Sequence, residues 1–260
     1  MSVDPETAYP SLPEDAARLY SGLGVHPTGD FHRDLVERLG GSGVPERARA
    51  AIEPLVRAGL LEATGPDRYH MAPAVWRHAR TVPGWREDAL SGIAGWYLRR
   101  LAAVDLLVVD RPRWGRAFRL REVIDHGFEG PEQALAAMDA DRDNVPRVVE
   151  LLHAEGRYGY VYQLAEAMHG YYVRRRLHDE WISCLHTAVT AAEAAGSGTA
   201  LARMHLELAA AHLDRSGPDD RGAARRHYTL AGETARALVP PHQPTVDAAE
   251  AGLASLTATS

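Results

Sequence analysis

Strand-forming pattern is confined to one stretch of this 260-residue chain. Leu60-Leu61-Glu62-Ala63 and Arg68-Tyr69-His70-Met71 flank the turn residues Thr64-Gly65-Pro66-Asp67, which reads as two short strands around a turn. From Ala74 onward only helical spacing recurs. That pattern predicts a mainly α fold with one small β-hairpin.

The helices before the hairpin are short. Pro13-Glu14-Asp15 opens the first, because proline and acids suit the unpaired amides and positive dipole of a helix start. Ala16, Leu19, Tyr20 and Leu23 supply its apolar face, and Gly24 and Pro27 are expected to stop it. A second is expected over Phe31–Leu39 with Asp30 as N-cap. Gly40-Gly41-Ser42-Gly43 reads as a turn, and a third helix runs from Pro45 to about Ala58, with Pro54 near its end. Three short helices followed by a hairpin is the winged-helix order, a variant of helix-turn-helix.

After the hairpin, helices are expected at 74–80, 85–107, 131–140, 145–155, 158–175, 179–195, 199–215, 220–238 and 245–256, separated by glycine and proline breakers. Of the 43 alanines, 20 follow position 187, and small residues at that density let helices stack closely. The pairs 158–195 and 199–238 are offset by about 41 residues, near the periods of helical solenoids, with the last helix as a cap.

Composition excludes several chemistries. All 29 basic residues are Arg. Without Lys there is no phosphate-loop lysine and no Schiff-base nucleophile. The net charge of −6 argues against a protein that coats nucleic acid over its whole surface. The single cysteine, Cys184, rules out an internal disulfide or thiolate cluster and suits a reducing cytoplasm. Residues 1–13 lack the apolar core of a signal peptide. No apolar run approaches the roughly 20 residues of a membrane span.

No catalytic motif emerges. Ser42, in Gly-Gly-Ser-Gly-Val, is not a nucleophile elbow, and Cys184, between Ile182 and Leu185, reads as a buried structural thiol. No two of the 13 histidines are three to five residues apart, so no helical metal-ligand pair is expected. His205/His212, His178/His186, His26/His32 and His70/His78 are the nearest pairs.

Two arginine clusters are candidate binding elements. Residues 110–121 interleave five Arg with Trp114 and Phe118, and there Arg113 and Arg116 are candidate anion or nucleic-acid contacts, although an interdomain loop docked on the helices through its aromatics is the favoured reading. Tyr171, Tyr172 and Arg175, with Trp181, suit a groove that grips an acidic or C-terminal peptide, and a solvated helix end over an aromatic core fits equally. In the hairpin unit, Arg47, Arg49 and Arg68 are the candidate nucleic-acid contacts. Residues 1–80 hold 9 Arg against 11 acids, a weak basic face for a DNA reader.

Several segments together carry a resemblance. Ala8-Tyr9-Pro10-Ser11-Leu12, the run Ala17 to Gly24, Val56-Arg57-Ala58-Gly59-Leu60-Leu61-Glu62 and the run Ala134 to Val145 resemble the winged-helix and repeat portion of actinobacterial STAND regulators. These are the NB-ARC and tetratricopeptide proteins related to SARP-type antibiotic regulators. Glu180-Trp181 and Ala188 to Gly196 look like their first repeat. The resemblance implies a nucleotide-binding domain before residue 1, which this sequence lacks. The family's Met-His-Asp sensor matches Met71-Ala72-Pro73, where Ala72 has no donor side chain and Pro73 no amide N–H. A typical Trp is Ala137 and a typical Glu is Asp141.

The expectation is a winged-helix domain over 1–82, a helical linker domain over 83–156 and a TPR-like helical stack over 157–260. It would be a cytoplasmic, non-enzymatic regulatory or adaptor protein binding a protein or peptide, with no cofactor, metal, nucleotide or membrane. The alternatives are a DNA-binding transcription regulator and a repurposed small-molecule binder or enzyme of a biosynthetic pathway.

Overall fold

The computed structural model of the chain describes residues 3–41, 44–124 and 127–258. The turn expected around Ser42 lies outside them. Two compact units emerge, Met1–Trp96 and Tyr97–Ser260.

The first unit begins with α1 (Pro5–Ala8), capped by the Asp4 carboxylate, which accepts from the Glu6 amide at 3.2 Å. Next come α2 (Glu14–Val25), β1 (Asp30–His32), α3 (Arg33–Gly41), α4 (Pro45–Arg57), β2 (Glu62–Gly65), β3 (Arg68–His70) and α5 (Pro73–Thr81). The sheet order is β1-β3-β2, all antiparallel, with Phe31 opposite Tyr69 and a bulge between Ala63 and Gly65. Tyr20, Leu23, Phe31, Leu55, Leu60 and Leu61 fill the core between these elements. The buried Tyr20 hydroxyl donates to the Val75 carbonyl at 3.0 Å.

Two local expectations need correction. Phe31 does not start a helix; it belongs to β1. A three-residue strand carries no period of its own and exists because β3 offers a pairing edge. Gly24 does not stop α2. It sits inside the helix because a Cβ there would meet the Ala79 carbonyl carbon at 2.4 Å, so glycine permits α2 and α5 to touch backbone to backbone.

The division between units falls within α6 (Arg86–Val108). The second unit continues through irregular residues 109–115, a 3₁₀ turn at Arg116–Arg119, α7 (Arg121–Ile124), α8 (Pro131–Asp139), α9 (Asn144–Ala154), α10 (Tyr158–Ala167), α11 (His169–Arg175), α12 (His178–Ala194), α13 (Gly198–Arg215), α14 (Asp220–Arg236) and α15 (Gln243–Ala258). The segment expected as one helix over 158–175 is two helices meeting at Met168. From α9 on, each of the longer helices packs on the next, and α9 also touches α12. Alanine makes this possible: Ala202, Ala209, Ala224, Ala231 and Ala235 are buried at the contacts of α13, α14 and α15. No strand occurs after residue 70 among the described residues, so the chain is mainly α. None of the described helices is long and apolar enough to cross a membrane.

Candidate functional site

A groove of about 320 Å³ opens between α9 and α12. Helical spacing builds it: Pro146, Val149 and Glu150 share one face of α9, and Glu180, Ser183, Cys184 and Thr187 share one face of α12. Buried Val149 and Cys184 give an apolar floor. The rim is acidic. Glu150 is exposed, Glu180 pairs with Arg142, and Asp179 pairs with Arg215 at 2.7 Å. Burial pushes the Cys184 thiol up to about 12, so it is protonated at neutral pH and no nucleophile. The groove has no activated base. It can hold an apolar side chain and attract a cation.

The aromatic and arginine residues expected to grip a partner lie elsewhere, mostly inside the fold. Tyr171, Tyr172 and Trp181 are fully buried. The Tyr171 hydroxyl donates to Asp139 at 3.0 Å, and Arg175 clamps the same carboxylate with bonds of 2.9 and 2.6 Å. Trp181 packs edge-on to His169, with ring centroids 4.9 Å apart. These residues knit α8, α11 and α12 together, so as surface anchors they are corrected to core and strut. The physical reason is packing: a short helix between two long ones buries its aromatic face.

The arginine-aromatic stretch is likewise turned inward at its centre. Asp105 is fully buried and accepts from Arg111 Nε at 3.1 Å, Arg113 Nε at 2.6 Å and the Gly170 amide at 2.8 Å. Arg111 also reaches Glu207 at 2.9 Å, and Glu207 meets His169 at 2.6 Å. Buried Glu166 accepts from the Trp114 amide at 2.9 Å and pairs with Arg203. Burial opposes charge on Glu207, yet Arg111 and His169 outweigh it and hold its carboxyl well below the usual range. Trp114 docks on Leu206, Ala231 and Ala249. Arg113 is therefore spent within the protein, and only Arg116 of the two candidates is exposed.

In the first unit, Arg47 and Arg49 are exposed on α4, and Arg68 is half-buried in β3. Arg47 lines a cleft of about 760 Å³ together with Arg18, Arg38, Trp85, Asp15 and Asp88. The Arg18 guanidinium lies over the Trp85 ring, 3.1 Å from its centroid. Three cations against two acids leave this cleft only mildly positive.

One constellation escaped the sequence reading. His186, His205, His212 and His227 come together from α12, α13 and α14, with His227 stacked against both His205 and His212 at 5.3 and 5.6 Å between centroids. The available signal was the seven-residue spacing of His205 and His212, two turns along one helix face, rather than the three or four expected of a ligand pair. As they stand, no three His, Cys, Asp or Glu side chains among the described residues converge on a metal position.

No protein-family model, curated protein or solved structure matches this chain.

Proposed function

We propose that the protein is a non-enzymatic regulatory or adaptor protein, NTP-independent, whose helical stack binds a peptide segment of a partner. The observation that carries this reading is the α9–α12 groove, an apolar floor under a rim that exposes Glu150. The exposed Glu150 favours a segment with a basic residue beside an apolar side chain, in place of the acidic peptide suggested by Arg175 alone. The succession of α12, α13, α14 and α15, each packed on the next, supports a TPR-like stack, and the resemblance to STAND regulators supports a regulatory role. The residues aligned with the Met-His-Asp sensor fit independence from nucleotide, since Ala72 and Pro73 are exposed and offer no side-chain donor.

The test is selection of displayed peptides on the full chain. Enriched peptides are expected to carry net positive charge, and Glu150→Arg together with Thr187→Arg is expected to abolish their binding. Peptides that bind both proteins equally would end this reading.

A second reading is DNA binding. The order α2-β1-α3-α4-β2-β3 fits a winged helix, and exposed Arg47 and Arg49 stand on α4, the helix that a DNA reader would insert. Binding to duplex DNA that weakens with salt and is lost in Arg47→Ala/Arg49→Ala would favour it. Absence of binding at low salt would remove it.

A further inference from the structure

The histidine cluster of the second unit belongs neither to the groove nor to the ion network. His205 of α13 and His227 of α14 face each other through their Nδ1 atoms, 3.2 Å apart. His212 lies two turns beyond His205, a rise of about 10 Å. That is nearly twice the ring spacing, so His227 sits between the two, and its ring is only 11° from the plane of His212. The His212 Nδ1 is bonded to Asp220 at 2.7 Å, which holds that ring in place. It acts as a backstop that fixes the His227 ring. His186 of α12 is exposed, with its ring centroid 6.2 Å from that of His227.

We propose that His205 and His227 are the chelating pair of a divalent transition-metal site, with His186 as the third ligand. Two imidazole nitrogens bound to one tetrahedral ion at about 2.0–2.1 Å lie about 3.3–3.4 Å apart. The observed separation meets this bite almost without movement. A donor set of imidazoles without thiolate suits Zn²⁺, Ni²⁺ or Cu²⁺ over Mg²⁺ or Ca²⁺. His186 completes the set by rotating its exposed side chain. Without an ion, one of the facing nitrogens carries the proton and donates it to the other. On binding, that proton moves through solvent to Nε2 of the same ring, so both rings remain neutral and no net proton is released.

The surroundings favour the neutral rings that a metal requires. Burial, then His205, His212 and His186, and lastly Arg226, hold His227 down at about 4. Burial also lowers His205, against the opposing pull of Glu193, and lowers His186. Protons therefore compete weakly at neutral pH.

The experiment uses the untagged full chain, stripped with chelator and titrated calorimetrically with ZnCl₂ and, separately, NiCl₂. Saturable uptake of one equivalent is expected, with a rise in Tm. His205→Gln and His227→Gln should each weaken it by about tenfold or more, and His186→Gln by less. His153→Gln, on α9 and bonded to Thr190, should leave it unchanged. Circular dichroism checks that each variant is folded. Cu²⁺ electron paramagnetic resonance of the wild type gives a readout that needs no variant, and nitrogen hyperfine structure is expected. Absence of saturable uptake, uptake indifferent to His205→Gln and His227→Gln, or an oxygen-only copper spectrum overturns the proposal.

Discussion

Arg113 turns its guanidinium inward onto the buried Asp105 carboxylate, 2.6 Å away, and also bonds the carbonyls of Asp105 and Val109. Arg111 takes the other carboxylate oxygen. Two cations are thus held in a region of low dielectric by Asp105, with the Glu207 carboxylate and the Glu166 backbone carbonyl also accepting from Arg111. Removing one partner of such a set costs far more than the set contributes, because the remaining charges stay buried and uncompensated. Asp105→Ala is expected to destabilise the protein by about 3–5 kcal/mol, measured by urea unfolding. A loss below about 1 kcal/mol would mean that the network is solvated rather than buried.

Glycine should act with opposite sign at two sites. A Cβ at Gly170 would lie 2.7 Å from Val108 Cγ2 and 2.9 Å from Asp105 Cα, so Gly170→Ala is expected to cost about 1–3 kcal/mol through overpacking. At Gly222, in α14, the nearest contact is the tip of the Arg226 side chain at 3.7 Å. Gly222→Ala should therefore stabilise by up to about 1 kcal/mol. Thermal unfolding of the two variants side by side checks both, and equal effects would refute the packing account.

Core and groove residues should separate cleanly. Trp181→Ala is expected to cost about 3–5 kcal/mol, because the ring is fully buried. Glu150→Arg, at an exposed position, should change stability by no more than about 0.5 kcal/mol. Loss of partner binding in the first variant would report unfolding, whereas loss in the second would report the groove. A stable, folded Trp181→Ala protein would contradict the buried placement.

The histidine cluster predicts a stability loss in mild acid. His227 is held down at about 4, whereas the unfolded chain protonates near its ordinary value of about 6.5. Between those values the unfolded state binds more protons, so stability falls as pH drops from about 6.5 to 4. His205 and His186 shift in the same direction. With screening of these half-exposed rings, the loss is about 1–2 kcal/mol. His227→Gln should flatten the pH dependence in that window. The low carboxyls of Asp139 and Glu207 act separately, below the ordinary carboxylate range, where their protonation breaks the pairs with Arg175 and Arg111. An unchanged slope in His227→Gln would show that the cluster does not titrate with folding.

Local pattern determined a good deal of this protein. Apolar spacing marked the face of α2 that carries Ala16, Leu19, Tyr20 and Leu23, and all four are buried. Turn chemistry marked the hairpin around Gly65-Pro66, and glycine and proline marked most helix ends. These features depend on neighbours within four or five residues, so they are written in the chain order itself. A cysteine flanked by Ile182 and Leu185 was legible as buried for the same reason.

Tertiary contact decided the rest. Phe31 pairs as a strand only because Tyr69 arrives from β3. Tyr171 and Tyr172 resemble binding anchors in sequence, but α11 lies where its aromatic face is covered. Arg111 and Arg113 look like anion contacts until Asp105 of α6 and Glu207 of α13 converge on them. His205 and His227 lie 22 residues apart and meet through the packing of α13 on α14. Whether a charged or aromatic side chain faces water, an opposite charge or another ring depends on elements distant in sequence. Periodicity reports which face of a helix is apolar; it carries no information about which distant group will occupy the space beside it.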